Sequence, residues 1–199
     1  MRISLSLHNH SILSDGALGI PELLKLIGKS YDVIAITDHD VLTIPHPLHL
    51  RQVNYGKPTL RLLGIEYSAY GSVHLVGIEP TNTRGLPIEV WDSCRVKWIA
   101  HPRLSDLDHN YINTIFKNFP SINGIEIFNS GILQVHDNTD EFPDINYYAS
   151  DDLHEEYQLR ASWMEMDVKS LDKELVIDKL ISGDFVICTD NKKRNPLTL

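Results

Sequence analysis

Nine side chains at the ends of short apolar runs offer imidazole or carboxylate: His8, His10, Asp15, His39, Glu66, His74, His101, Asp152 and His154. A mixed nitrogen and oxygen donor set suits divalent Zn, Mn or Fe better than Ca or Mg, which take all-oxygen shells. One metal needs about four ligands, so nine candidates at one place imply two or three ions. Such a cluster activates a bridging water near neutral pH and neutralises charge on a phosphoryl group. No protein nucleophile is then required, and none is signalled. The chain has no Gly-x-Ser-x-Gly elbow and no P-loop, and neither Cys94 nor Cys188 sits in a motif.

The elements that must gather these residues share one form: a short apolar, β-branched run that stops abruptly at polar residues. Ile3–Leu7 precedes His8-Asn9-His10, and Asp32–Ile36 precedes Thr37-Asp38-His39-Asp40. Arg61–Ile65 precedes Glu66, and Val96–Ala100 precedes His101-Pro102-Arg103. Gly124–Phe128 leads to Asn129, and Ile145–Ala149 leads to Ser150-Asp151-Asp152-Leu153-His154. On a strand, His8 and His10 stand at i and i+2 and share a face. Continuous apolar runs suit strands buried on both sides, as in parallel sheets. Helical patterns fall between them. Ile20–Ser30 has Pro21 near its start, Asp108–Phe119 stops at Pro120, and Ser170–Ser182 ends at Gly183 as a C-terminal cap. Ser72–Glu79 follows the Glu66 strand across Tyr70-Gly71, which predicts a hairpin. Val41–Pro58 and Thr81–Arg95 are punctuated by Pro and Gly and read as loops with short helices, the lid candidates.

Strand–helix alternation implies an α/β parallel sheet, and chemistry at the carboxyl end of strand after strand is the habit of a (β/α) barrel. The 199 residues are few for eight units. The expectation is a distorted (β/α)7 TIM-like barrel, one domain over 1–199, with its metal site at the C-terminal ends of the strands.

Net charge is −9, from 18 Lys and Arg against 27 Asp and Glu, which argues against a nonspecific polyanion binder. No apolar run approaches the roughly 20 residues of a membrane helix. Two cysteines far apart, without a C-x-x-C pattern, read as free thiols of a reducing compartment. The first strand begins almost at Met1, so the expectation is a cytoplasmic protein without a signal peptide. Nothing in the sequence indicates an oligomeric state.

The order and spelling of these segments resemble the PHP (polymerase and histidinol phosphatase) superfamily of metal-dependent phosphoesterases, from His8 to about Thr189. The pieces are Leu7-His8-Asn9-His10 with Ser14-Asp15-Gly16, Ala35-Ile36-Thr37-Asp38-His39-Asp40, Gly64-Ile65-Glu66, His74–Ile78, Ala100-His101-Pro102, Gly124–Ile127 and Asp151-Asp152-Leu153-His154. Trp163–Met166, the Leu171–Gly183 helix and Phe185 resemble the short stand-alone members, some of them related to a carbamate-pesticide hydrolase. The resemblance implies three ligand sets. His8, His10, Glu66 and Asp152 would hold one metal. Glu66 would bridge to a second, held also by His74 and His101. Asp15, His39 and His154 would hold a third. The family's Asp-x-His spacing selects Asp152 over Asp151, leaving Asp151 a supporting or structural role.

On this reading His101, His154 and Arg103 are the catalytic candidates, with Arg103 the phosphate-binding arginine and Arg160 and Arg84 its weaker rivals. Asp38 is read as an orienting carboxylate for a ligating histidine, and Glu126 and Asn129 as lining or bracing the pocket. His46, His49, His109 and His136 match no metal position and read as surface; Tyr67, Trp98 and Trp163 read as core. The expected activity is hydrolysis of a small phosphomonoester, a nucleotide or a short oligonucleotide. The rivals are a carbamate, ester or amide hydrolase on the same centre, and a non-catalytic metal-stabilised module that binds a partner.

Overall fold

The computed structural model of the chain describes residues 1–44, 56–69, 72–134, 142 and 145–190. Ten strands among them form one curled sheet in the order β10-β9-β1-β2-β3-β4-β5-β6, with both β7 and β8 paired to β6. The strands are β1 (Arg2–Ser6), β2 (Val33–Ile36), β3 (Leu60–Ser68), β4 (His74–Pro80), β5 (Cys94–Ile99), β6 (Gly124–Asn129), β7 (Ile132–Leu133), β8 (Asn146–Ser150), β9 (Ser162–Asp167) and β10 (Val186–Thr189). Four α-helices are described: α1 (Ile20–Ser30), α2 (Pro87–Asp92), α3 (His109–Asn118) and α4 (Lys173–Ser182).

Local sequence accounts for most of these boundaries. Pro21 opens α1, where its missing N–H costs nothing. The Asp108 side chain caps α3 by accepting from Tyr111 N, and Asp172 caps α4 by accepting from Leu175 N. That cap starts α4 three residues later than Ser170. Gly183 ends it with φ of 73°, a left-handed conformation that favours glycine.

Strand alternation separates the interior from the helix-covered exterior. Ile3, Leu5, Leu7, Val33, Ala35, Val76, Ile78, Val96, Trp98, Met164 and Met166 share one buried cluster inside the curl. The Trp98 and Tyr148 rings stack there at 4.8 Å. Their neighbours point outward: Ile34 and Ile36 pack on Leu23, Leu24 and Ile27 of α1, while Ile65, Leu75, Ile99 and Ile125 meet Trp91 of α2 and Ile112 and Ile115 of α3.

The expected (β/α)7 barrel is corrected to a mixed α/β half-barrel. Parallel pairs β1–β2, β2–β3, β5–β6 and β6–β8 coexist with antiparallel β3–β4, β4–β5, β1–β9 and β9–β10. The reason is connection length. A parallel crossover needs roughly a dozen residues or more, and β3 passes to β4 across residues 69–73. The predicted hairpin is therefore present, though Tyr70 and Gly71 lie outside the described residues. The flanks of the curl meet at one rim, where Asn9 bridges Leu153 and His10 N donates to Leu153 O at 2.9 Å, and again where Ser162 Oγ donates to the Ser150 carbonyl. Farther back, β9 takes the free edge of β1, from Arg2↔Asp167 to Leu5↔Met164.

The reversed strand has two consequences. His74 opens β4 rather than following a strand, yet Ser68 pairs with it and Ala100 N donates to its carbonyl, so it reaches the same rim. The Thr81–Arg95 segment leaves β4 from the opposite end. Seven residues at about 3.3 Å each put roughly 20 Å between it and that rim, so neither this segment nor Arg84 closes over the site. The other lid candidate, Val41–Pro58, is described only at residues 41–44 and 56–58, and His46, His49 and His136 lie outside the described residues. Among the described residues, no helix is long and apolar enough to cross a membrane.

Candidate metal centre

The closed rim brings all nine candidate residues together. β1 delivers His8 and His10 just beyond its last pair, and Asn9 holds them there. The Asn9 side chain faces away from them, donating to Ala35 O at 2.8 Å and Ser6 O at 3.2 Å, while its backbone N–H meets Thr37 Oγ1 at 3.1 Å. The segment after β2 runs on beside β3, where His39 bridges Glu66. Asp15 returns on a tight loop that needs Gly16, since a Cβ there would stand 2.1 Å from the His10 carbonyl oxygen. His101 and Asp152 adopt left-handed backbone, φ 23° and 47°. Such strain in non-glycine residues gathers at functional sites, and at His101 it is held by the backbone N–H donating to Glu66's neighbour in the cluster, Glu126 Oε2, at 2.8 Å.

Glu66 is the hub. Its Oε2 lies 3.1 Å from His8 Nε2 and 3.0 Å from His10 Nε2, and Asp152 Oδ1 lies 3.3 and 3.2 Å from the same two nitrogens. Its other oxygen, Oε1, lies 3.2 Å from both His74 Nδ1 and His101 Nε2. A third group opens toward solvent: Asp15 Oδ2 stands 3.1 Å from His154 Nε2 and 3.5 Å from His39 Nε2, with Asp15 Oδ1 3.4 Å from His10 Nδ1. His10, Asp15, His39 and His154 offer ligand atoms all within 4.8 Å of one another.

Two observations fit a metal to these residues. Ligand atoms each about 2.1 Å from a shared ion, at angles near 90–109°, stand about 3.0–3.4 Å apart, the spacing found around Glu66. Among the described residues, seven buried side-chain N or O atoms lack a hydrogen-bond partner. Two are the indole nitrogens of Trp91 and Trp98. The other five are His8 Nε2, His10 Nε2, Glu66 Oε2, His74 Nδ1 and Asp152 Oδ1, all in this cluster. Buried polar atoms are ordinarily paired, so five orphans facing one another mark a position for a cation.

Outer partners aim the rings. His8 Nδ1 faces Glu126 Oε1 at 3.3 Å, and Glu126, fully buried, also accepts from Ser150 Oγ and from Asn129 Nδ2. Asn129 reaches on to Asp152 Oδ2 at 3.0 Å. His10 Nδ1 faces Ser14 Oγ, which donates to Asp38 Oδ1 at 2.8 Å. Asp38 thus orients a ligand as expected, but His10 through Ser14 rather than its neighbour His39; it also accepts from Ser11 and Thr43. His101 Nδ1 faces Ser105 Oγ at 3.3 Å, and His154 Nδ1 faces the Asp152 carbonyl at 3.0 Å. Tying one ring nitrogen fixes the tautomer that leaves the other free for a metal. Ser105, Ser150 and Gln158, whose Oε1 accepts from His154 N, carry no signal in the sequence that singles them out.

The charges are strongly coupled. Burial draws the His8 and His10 imidazoles down, but the Asp152 and Glu66 carboxylates outweigh it, leaving His8 well above its ordinary value and His10 at about 9. Against burial, the facing imidazoles hold Glu66 and Asp152 well below the usual carboxylate range. At His39 burial prevails and its value falls. The cluster attracts cations strongly, and protons and metal ions compete for the same lone pairs.

The remaining candidates fall elsewhere. Asp151 accepts from Tyr31 Oη and from the backbone N–H groups of Arg160, Ala161 and Ser162, a structural role. Arg160 stacks over Trp163 at 4.4 Å and Tyr31 at 5.2 Å and donates to Ser30 O. Arg103 is exposed on the loop after His101 and donates to Leu133 O at 3.4 Å. The His109 ring stacks on Phe142, away from the cluster. Cys94 is buried and free, its thiol pushed up to about 12 by burial, and Cys188 is free and half-buried.

No protein-family model matches the sequence, and no curated protein matches it. Solved structures do. A two-domain protein of Bacteroides vulgatus containing a predicted PHP-like metal-dependent phosphoesterase superposes with a TM-score of 0.70 at 16% identity, over 95% of this chain and 65% of that one. The chain has the PHP-like fold. The same PHP-like arrangement matches a lesion-specific endonuclease of Pyrococcus furiosus, TM-score 0.61 at 18% identity, over 94% of this chain and 58% of that one. An amidohydrolase of Chromobacterium violaceum matches at 0.56 and 14% identity, over 96% and 99%. The chain thus spans less than two thirds of the length of the Bacteroides and Pyrococcus proteins.

Proposed function

We propose that this chain is a metal-dependent hydrolase of small phosphoesters. The observation that carries the reading is the cluster of five buried, unpartnered ligand atoms that includes Glu66 Oε2. His8, His10, Glu66 and Asp152 would hold one divalent ion, Glu66, His74 and His101 a second, and Asp15, His39 and His154 a third, with Zn, Mn or Fe suited to the donors. Such ions would supply an activated water and neutralise phosphoryl charge.

The chain's own part is positioning. Glu126, Ser14 and Ser105 hold three imidazoles in one tautomer, so no reorientation is needed as charge develops. His101 is the ligand most firmly placed, through its backbone bond to Glu126. His154, more open to solvent, carries the proton to the leaving oxygen at Nε2 when the two inner positions alone are filled. Arg103 releases the Leu133 carbonyl and meets a non-bridging phosphate oxygen. A small phosphomonoester or nucleotide suits the chain's acidity, and nucleic acid enters only as a short oligonucleotide. The free thiols fit a cytoplasmic setting.

The likeness to an amidohydrolase favours a second reading, hydrolysis of a carbamate, ester or amide on the same centre. One experiment separates these. Bound metal is quantified in purified protein, and nucleotides, sugar phosphates, a phosphodiester, a carbamate and a carboxyl ester are assayed with and without chelator. Two or more ions per chain with chelator-sensitive phosphate release support the main reading; turnover of the carbamate or carboxyl ester alone supports the second. Metal without turnover of any substrate favours a non-catalytic module. Undiminished phosphate release by His10→Ala sinks the main reading, and undiminished turnover of the carbamate or carboxyl ester by that variant sinks the second.

A further inference from the structure

Several large apolar side chains that are exposed stand close in the chain to the candidate ligands. Eleven are exposed among the described residues. Five of them stand within three positions of a candidate ligand, on four separate loops. Ile12 and Leu13 lie between His10 and Asp15, Val41 two past His39, Leu104 three past His101, and Tyr157 three past His154. Their exposure runs from 40% to 62%. Single exposed hydrophobics are ordinary on a protein surface, but five of them following ligands that share one rim point to a binding site there.

The charge at this rim is equally uneven. Asp15 and Asp40 are acidic and partly open to solvent. Of the two arginines on these loops, Arg160 is committed to Trp163, Tyr31 and the Ser30 carbonyl. Among the described residues of these loops, Arg103, held by one long bond to a carbonyl, is the arginine left available. With one phosphoryl group on the metals and Arg103, any further anionic group of a ligand would face Asp15 and Asp40. A ligand with one phosphoryl group and an apolar remainder finds a partner for each part.

We propose that the rim selects the alcohol half of the ester, and that the centre takes monophosphates of apolar alcohols, aryl or alkyl, with the apolar group resting on Ile12, Leu13 and Leu104. This rests on the hydrolase reading above. In the reaction, the bond between phosphorus and the alcohol oxygen breaks and one between phosphorus and a water oxygen forms. A proton from that water passes to the alcohol, so the products are the free alcohol and inorganic phosphate, with no change of oxidation state.

The test uses the metal-loaded full chain and two phosphonates that it does not hydrolyse. Titration calorimetry compares phenylphosphonate with methylphosphonate, whose charged ends are alike. Burial of the ring predicts at least about tenfold tighter binding of the phenyl compound. In the Ile12→Ser/Leu13→Ser double variant, folded by circular dichroism, the ratio falls toward one. Equal affinities in the native protein overturn the proposal, as does an unchanged ratio in the variant or no phenylphosphonate binding at millimolar concentration. Elution as a dimer that the double variant converts to a monomer assigns the rim to a second copy of the chain and also overturns it. Because binding is read without turnover, a failure of the phosphoesterase reading appears separately, as absent phosphate release from phenyl phosphate.

Discussion

His10 Nε2 stands 3.0 Å from Glu66 Oε2, both atoms are buried, and neither makes a hydrogen bond. Two polar atoms that close would pair if a hydrogen on one addressed a lone pair of the other. Here they address a common point instead, and His8 and Asp152 address it too. Leaving such groups unpaired costs about 1–3 kcal/mol each, so their arrangement is intelligible as a socket for a cation.

The two oxygens of Glu66 face two groups of donors, Oε2 the His8 and His10 nitrogens and Oε1 those of His74 and His101, and on the proposed reading each group holds an ion. Glu66→Gln is therefore expected to lower metal content by more than one ion per chain, whereas His74→Ala lowers it by one at most. Elemental analysis after dialysis against a weak chelator checks this. Equal losses in the two variants would contradict the shared role of Glu66.

Glu126 reaches the centre through His8, through the His101 backbone and, by way of Asn129, through Asp152. Glu126→Gln keeps the shape but weakens the acceptor facing His8 Nδ1. Loss of such a partner typically lowers metal affinity by about 10–100-fold. Competition with a chromophoric chelator measures it, and a change below threefold would show that Glu126 merely fills space.

Gly16→Ala places a Cβ 2.1 Å from the His10 carbonyl oxygen. The loop must move, at a cost of about 1–3 kcal/mol, and Asp15 moves with it. Denaturant titration is expected to show that loss. On the proposed reading Asp15 would help hold the outermost ion, so that ion is expected to be released and the inner two retained.

The metal-free protein has its own pH dependence. The His10 imidazole, raised from 6.5 to about 9 in the folded chain, contributes stability that is complete below pH 6.5 and lost as pH rises through 9. Glu66 and Asp152, held low, contribute stability that is present above their ordinary values and lost as acid protonates them. The chelator-treated protein should therefore melt highest at mildly acidic pH and lose stability toward pH 9, and added Zn should abolish the alkaline loss. A flat melting temperature across that range would show that these imidazoles are not held by the carboxylates.

The sequence by itself determined what depends on residue type and near neighbours. Runs such as Ile3–Leu7 and Asp32–Ile36 marked buried strands because period-two alternation and apolar continuity are local properties. Pro21, Asp108 and Gly183 marked helix ends because capping is local too. The nine imidazoles and carboxylates were legible because each follows or opens such a run, and all nine do meet at one rim. Strand direction was not legible. His74 opens β4 and reaches the centre only because that strand runs antiparallel, and this reversal sends Thr81–Arg95 and Arg84 to the far end. Nor could local pattern show that Asp38 acts through Ser14 on His10, that Glu126 faces His8 across 118 positions of chain, or that Asp151 is used up by Tyr31 and the Arg160–Ser162 backbone. Those contacts join residues distant in sequence, and only the curl of the sheet, which brings Asn9 against Leu153, decides them.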